Sequence, residues 1–459
     1  MGATLLQRFR EQLYQNLSNR ADTLLDLLDA LSGNTTARSV VELSLSPAFR
    51  RHYSALYKAV ADYRLPPEVV RRLVAPAVPP PRCRPFWLFS LDVTPCPRPY
   101  APTLADRGMV YAPQVVRSNK PVTVGHQYSS LVVLPERKAG DPPWVVPLEA
   151  RRVSSQEDKE MVGAEQLTAW LQDPHLPFRE GLCLLVADTA YSKPPFLLAH
   201  TDLPNLVKVV RVRSNRVFYR RHRPAKGEQP RRGHPRWYGG RFALNDPSTW
   251  HPPDAERSYT ITGSRGQTYS VRTQAWEEMV MRGSKDLPMH NHPFTLVRVE
   301  FLRPDGCPLF RRPLWLILFG PRHQEVDLQA AVEAYRQRFD HEHFFRFAKR
   351  RLLLTAYQTP DVAHEEAWWQ IVFLAYLQLW LARPQAQAVY RPWEQYLPQC
   401  RRKALSPAQV QRDFARILRP LGTPARPVKR RGNSPGRPQG YRLTPRPRYP
   451  VVRKARKTV

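Results

Sequence analysis

The sequence predicts a mixed α/β fold in which a central sheet lies between a short helical module and a strongly basic tail. Three observations carry this expectation. Short apolar runs of strand length recur from residue 86 to residue 215, with helical spacing between some of them. Residues 1 to 64 carry helical spacing alone. The last 59 residues, 401 to 459, hold 18 Lys or Arg against one acid, Asp413, a composition that favours a mobile tail over a packed unit.

The N-terminal module shows Leu24, Leu27, Leu28 and Leu31 on one helical face, then Phe49, Tyr53, Leu56, Tyr57 and Val60 on another, the second stretch opened by Ser46-Pro47. Prolines 79, 80 and 81 stiffen an extended connection. A boundary near residue 82 follows, with an N-terminal helical domain over 1–81.

From there the runs FWLFSLDVT (86–94), VTVGHQYSSLVVL (122–134) and WVVPL (144–148) read as strands, 163–172 as a helix, and LCLLVADT (182–189) and VKVVRVRSN (207–215) as strands. Early strands on short loops followed by strands joined through crossovers give a mixed sheet of the ribonuclease-H-like type. Its first part spans 82–216. Residues 217–311 break the rhythm with short alternating stretches such as SYTITG and TYSVRT, and read as a β-rich insertion. The second part, 312–400, opens with the strand RPLWLILFG, continues with one long helix from about 325 to 353, and ends in a tryptophan-rich helix. That last apolar run, Ala367 to Ala382, is 16 residues long with two glutamines, short of the ~20 needed to cross a bilayer. It reads as a core helix. Residues 401–459 form the basic, proline-rich tail.

With 71 Lys and Arg against 39 Asp and Glu, the chain carries a net charge of +32. Such an excess suits a polyanionic partner whose counterions are released on binding, and nucleic acid leads that class. Cys83, Cys96, Cys183, Cys307 and Cys400 form no C-x-x-C pair, so neither a disulfide framework nor a zinc finger is expected and a reducing cytoplasm fits. The N-terminus shows no targeting pattern.

Two aspartates stand at the C-terminal ends of the strongest buried-strand patterns, Asp92 after FWLFSL and Asp188 after LCLLVA. A carboxylate there costs desolvation unless positive charge meets it. Hard divalent ions such as Mg²⁺ prefer these oxygens and, in pairs, serve phosphoryl transfer. The plainer reading is that each aspartate caps the loop or helix that follows. On the later long helix, Tyr335, Arg338, Glu342 and Lys349 stand at offsets 0, 3, 7 and 14, within an arc of about 60° on a regular helix. A carboxylate flanked by a phenol, a guanidinium and an ammonium suits a metal beside a phosphodiester; an exposed, salt-bridged helix face would look the same.

The spacing Tyr335-x2-Arg338-x3-Glu342-x6-Lys349 resembles the YREK signature of a large group of bacterial insertion-sequence DDE transposases, over about residues 82 to 382. The resemblance implies a ribonuclease-H-like core in which Asp92, Asp188 and Glu342 form the catalytic triad and hold two Mg²⁺ or Mn²⁺ ions. It implies cleavage at element ends and strand transfer, with Tyr335, Arg338 and Lys349 on phosphates. It further implies double-stranded DNA as partner, both terminal inverted repeats and target, bound by a homodimer in the bacterial cytoplasm at the nucleoid, with the N-terminal helices at the element ends. A non-catalytic DNA-binding derivative and a structure-specific nuclease on the same fold are the alternatives.

Arg211 and Arg213, with Arg216, either line a DNA channel or face solvent. Trp237 and Trp250 lie where hairpin-assisting tryptophans occur in such transposases, although packing explains them as well. His341 and His343 flank Glu342 but point about 100° to either side of it, against a zinc site. His290-Asn291-His292 reads as a loop, Gly125-His126-Gln127-Tyr128 as either a polar interruption facing the active site or a bend in a strand, and Pro435-Gly436-Arg437-Pro438 as a weak minor-groove motif.

Overall fold

The computed structural model describes residues 4–112, 121–222, 236–263, 266–394, 404–429 and 436–453. Its centre is a sheet of 12 strands. Strand β1 (Phe86–Pro97) pairs antiparallel with β3 (Val122–Val133) and parallel with β5 (Leu182–Ala187). β5 in turn pairs parallel with β6 (Leu206–Val212). β2 (Gly108–Tyr111) and β4 (Val146–Val153) both pair with β3. This is the ribonuclease-H-like arrangement expected from the order of apolar runs. The parallel strands are the most continuously apolar, because helices or chain cover both faces: residues 86–91 of β1 and all of β5 are buried.

Helix α5 (Lys159–Leu171) packs on β1, β3 and β4, and an added Cβ on its Gly163 would meet Leu91 Cδ2 at 2.4 Å. That close approach is where the glycine is needed. Helix α6 (Pro194–Leu198) follows β5.

The β-rich insertion lengthens the main sheet rather than forming a layer of its own. Strands β7 (Val217–Arg221), β8 (Tyr238–Ala243), β9 (Ala255–Thr262), β10 (Thr268–Val280) and β11 (Phe294–Leu302) join it through β12 (Leu314–Phe319), which lies antiparallel between β6 and β11. Trp250, Trp276, Trp315 and Phe242 cluster there, and the Trp250 indole donates to the Ala243 carbonyl at 2.8 Å. Trp250 therefore packs within this cluster, while Trp237 stacks on His290 at 3.6 Å.

Two expectations about helices change. The long helix of 325–353 is two helices, α7 (Leu328–Gln337) and α8 (Phe339–Arg351), with Arg338 at the joint. There the turn tightens: the Arg338 N–H donates to the Tyr335 carbonyl and the His341 N–H to that of Arg338, three residues back rather than four. The second change concerns the tail. Residues Pro407–Leu421 form helix α10, with Val410, Phe414 and Ile417 buried and the lone acid Asp413 accepting from the Gln387 N–H at 2.6 Å. Apolar spacing outweighs net charge in this stretch. Ser406 and Gln409 cap it reciprocally, and Pro407 takes the first helical position, where its missing N–H costs nothing. Further on, the Tyr449 N–H donates to Pro102 O at 2.8 Å and the Val452 N–H to Arg107 O at 2.7 Å, so this part of the tail lies along β2.

The tryptophan-rich helix α9 (Val362–Ala382) is buried on nearly every side, as all-round apolarity demands. It packs against β4, against α10 and against the N-terminal helices α1 (Leu5–Asn16), α2 (Ala21–Ser32) and α3 (Tyr53–Asp62), while α4 (Pro67–Val74) packs on α1. Arg10 and Ser32 reach across to Gln378 and the Ala375 carbonyl at 3.0 and 3.2 Å. Among the described residues no helix is long and apolar enough to cross a membrane.

Candidate active site

Asp92 does not end its strand. β1 runs on to Pro97 against β3, but its parallel pairing with β5 stops at Leu91↔Ala187. The next positions on the two strands are Asp92 and Asp188, so the edge of the β1–β5 pairing carries both carboxylates. Asp188 also caps the short turn Thr189–Tyr191, accepting the Thr189 N–H. Capping and site placement coincide in one residue.

Alternation along β1 sends Ser90, Asp92 and Thr94 to one face, and α7–α8 answers all three. His341 lies between Ser90 Oγ at 3.1 Å and Ser130 Oγ at 2.9 Å. Arg338 Nη1 donates to Asp92 Oδ2 at 3.4 Å, and Lys349 Nζ to Thr94 Oγ1 at 2.6 Å. Arg338 Nη2 also donates to Glu342 Oε1 at 2.7 Å, so one guanidinium joins a carboxylate of the sheet to a carboxylate of the helix. Its Nε is buried and has no hydrogen-bond partner among the described residues. Tyr335 places its ring 5.8 Å from the same guanidinium.

The electrostatics follow from this packing. Burial pushes the Asp92 carboxyl up to about 6; Asp188 and Glu342 push the same way, while Arg338 and the Val93 N–H oppose them. Burial works against the Arg338 charge, yet Tyr335, Asp92, Glu342 and Asp188 together hold it above the ordinary guanidinium value. Burial lowers the Lys349 amine and raises the Tyr335 phenol. His341 is driven down to about 3, chiefly by burial and then by Arg338. With its ring nitrogens on Ser90 and Ser130, it anchors α8 on β1 and β3 as a neutral side chain.

A cleft of about 1600 Å³ meets this group at Arg338 and Tyr335; its walls also include Arg211, Arg312 and Phe339, but not Asp92, Asp188 or Glu342. Arg211, exposed on β6, thus joins the group; Arg213 is exposed but does not line the cleft. Arg216 donates to the Ser192 carbonyl at 3.3 Å. Pro435 of the proposed minor-groove motif and Cys400 lie outside the described residues.

Asp92, Asp188 and Glu342 offer hard oxygen donors of the kind Mg²⁺ and Mn²⁺ prefer. Among the described residues no three His, Cys, Asp or Glu side chains are gathered closely enough to hold an ion; here Arg338 supplies the positive charge between Asp92 and Glu342. The donor chemistry fits a divalent ion, with Glu342 turned toward Arg338.

The sequence reading missed the polar residues that support this site. Ser90 and Thr94 were legible in the alternation S-x-D-x-T. The Glu365 network was not, because its members are far apart in the chain. Arg98 Nε donates to Glu365 Oε2 at 2.7 Å, His126 Nδ1 and Glu365 Oε1 are 2.7 Å apart, and the Tyr128 hydroxyl donates to the same oxygen at 2.9 Å. The polar interruption in β3 therefore faces α9 rather than the carboxylates. Gly125 is tight against the backbone of β1: a Cβ there would meet the Cys96 carbonyl at 2.3 Å.

Residues 12–283 match the family model described as DDE superfamily endonuclease. The matched stretch is more than half of the 459 residues; it contains Asp92 and Asp188 and ends before Tyr335, Arg338, Glu342 and Lys349. Comparison with curated proteins gives no match.

Proposed function

The chain belongs to the DDE superfamily endonuclease family, and from that premise we propose that it is a DNA transposase of the YREK insertion-sequence group, with Asp92, Asp188 and Glu342 as its metal-holding triad. The observation that carries the reading is the Arg338 bridge, which ties Glu342 to Asp92 at the edge where Asp92 and Asp188 leave their paired strands.

Two Mg²⁺ or Mn²⁺ ions bound at these carboxylates would supply activation of the attacking oxygen and neutralisation of the leaving one. The protein's own residues do the rest. Asp92, with a pKa of about 6, is mostly ionised at neutral pH and can serve as a ligand. Arg338, which lines the cleft and bonds both Asp92 and Glu342, offers its guanidinium to a phosphate oxygen. Lys349, held on Thr94, and Tyr335 stand on either side of Glu342 along the helices, where they position the phosphodiester rather than exchange protons. Arg211 in the cleft and Arg213 beyond it contact the backbone of double-stranded DNA. The DNA comprises the element's inverted repeats and the target, held by a homodimer at the bacterial nucleoid.

The test is a Mg²⁺-dependent cleavage and strand-transfer assay on element ends. Joined product is expected from the wild type, and Glu342→Gln should lower cleavage at least ~10³-fold while the protein stays folded. Full cleavage by Glu342→Gln would remove Glu342 from the triad. Cleavage without joining supports the second reading, a nuclease, which the family's endonuclease description favours.

A further inference from the structure

Glu342 is placed by the residues that precede it. Its own side chain is half-exposed and bonds to Arg338, so the fold fixes its backbone more firmly than its carboxylate. Asp340 and His341, by contrast, are buried, and each is tied down. Asp340 accepts from Arg137, just past β3, at 2.8 Å from Nε and 3.0 Å from Nη2. His341 holds Ser90 Oγ with Nδ1 and Ser130 Oγ with Nε2. These two serines flank Asp92 on its own face of the sheet: Ser90 lies two residues back on β1, and Ser130 stands directly across on β3. The ring next to Glu342 in the chain is thus bonded on both sides of Asp92.

Ser90, Ser130 and His341 are all fully buried. Buried polar groups cost free energy unless paired, and apolar side chains of similar volume would hold a helix on a sheet without that cost. A hydroxyl donates or accepts, so two of them satisfy both ring nitrogens in either tautomer. Directional bonds of this kind specify one arrangement where apolar packing tolerates several. We propose that Ser90, His341 and Ser130 are positioning residues for the metal-holding carboxylates, a clamp that sets the backbone of Glu342 against Asp92. The inference rests on the reading of Asp92, Asp188 and Glu342 as a triad and adds the side chains that align its members.

The experiment uses the full chain without DNA and Mn²⁺ alone as the probe, with free Mn²⁺ read by electron paramagnetic resonance and a thermal midpoint taken for every variant. The wild type is expected to bind Mn²⁺, and Glu342→Gln to bind it at least roughly tenfold more weakly. His341→Leu, which loses both bonds, should also weaken Mn²⁺ binding roughly tenfold and raise the Mg²⁺ concentration that half-saturates cleavage by a similar factor, with binding of end DNA in EDTA unchanged. Ser90→Ala/Ser130→Ala should match it, and the triple variant should lose no more, because the three side chains act as one unit. His341→Gln, whose amide reaches toward Ser130 from the position of Nε2, should recover part of the affinity, and it carries the test if His341→Leu does not fold. Mn²⁺ affinity that falls in Glu342→Gln but is unchanged in the clamp variants, whatever their midpoints, would overturn the clamp and leave the triad intact. Additive losses in the triple variant would do the same. Unchanged Mn²⁺ binding by Glu342→Gln, or none by the wild type, would overturn the triad and the clamp together.

Discussion

Two groups of acids and arginines lie along β1, one just past its end and one at its middle, and they are built differently. In the first, Glu365 is fully buried and its oxygens accept from Arg98, Tyr128 and His126, while Arg98 spends its remaining donors on the carbonyls of Pro97, Thr355 and Tyr357. Every charge is answered inside the protein. In the second, Arg338 reaches Asp92 only at 3.4 Å, its buried Nε has no partner among the described residues, and the Glu342 side chain is 46% exposed. A satisfied network holds structure together, because leaving any of its members unpaired is costly. An unsatisfied one at the mouth of a cleft is set for a ligand.

The contrast predicts opposite outcomes for the two arginines. Arg98→Met leaves Glu365 buried without its charge partner and should cost about 3–5 kcal/mol of stability, read from denaturant midpoints. Arg338→Met should cost less, about 1–2 kcal/mol, because Glu342 is half exposed and Asp92, already pushed up to about 6, can take up a proton. It should instead weaken DNA binding at every sequence and lower the salt slope of log Kd by about one. If the two variants were equally destabilised, the distinction between a closed and an open network would be wrong.

Much of this arrangement was legible beforehand, for reasons that can be named. Strands such as LCLLVA and LWLILF are read from their length and continuous apolarity, and Asp92 and Asp188 stand out because a charge interrupts such a run. The Tyr335 to Lys349 stripe is local, so helical spacing alone brings its members together even across the break at Arg338. What escaped were contacts made across the fold. Nothing near Glu365 in the chain announces Arg98 or His126, and the cleft draws Arg211 from β6 and Phe339 from α8, which are far apart in the chain. Helix α10 escaped for another reason. Net charge dominated the reading of 401–459, although Ser406-Pro407 with Gln409 opens a helix by the same chemistry that marks helices elsewhere.

Acid titration sharpens the comparison further. Burial alone would raise the Glu365 carboxyl, but the His126 hydrogen bond, the Arg98 charge and the Tyr128 hydroxyl outweigh it and hold the group below its ordinary value. With the folded pKa lowered, the unfolded chain takes up a proton first as pH falls. Glu365 therefore contributes stability that is fully present above its unfolded pKa of about 4.3 and fades as pH drops through the lower folded value. Glu365→Gln carries no such titration. The stability difference between wild type and Glu365→Gln should be constant from pH 7 to about 5 and narrow below about 4, measured by urea unfolding at each pH. The narrowing should be smaller than the loss in Arg98→Met, since it reports only the shift and not the whole ion pair. A difference that widened toward acid would mean that Glu365 is protonated more readily in the folded protein than in the unfolded chain, and the closed network would then lack the charge assigned to it.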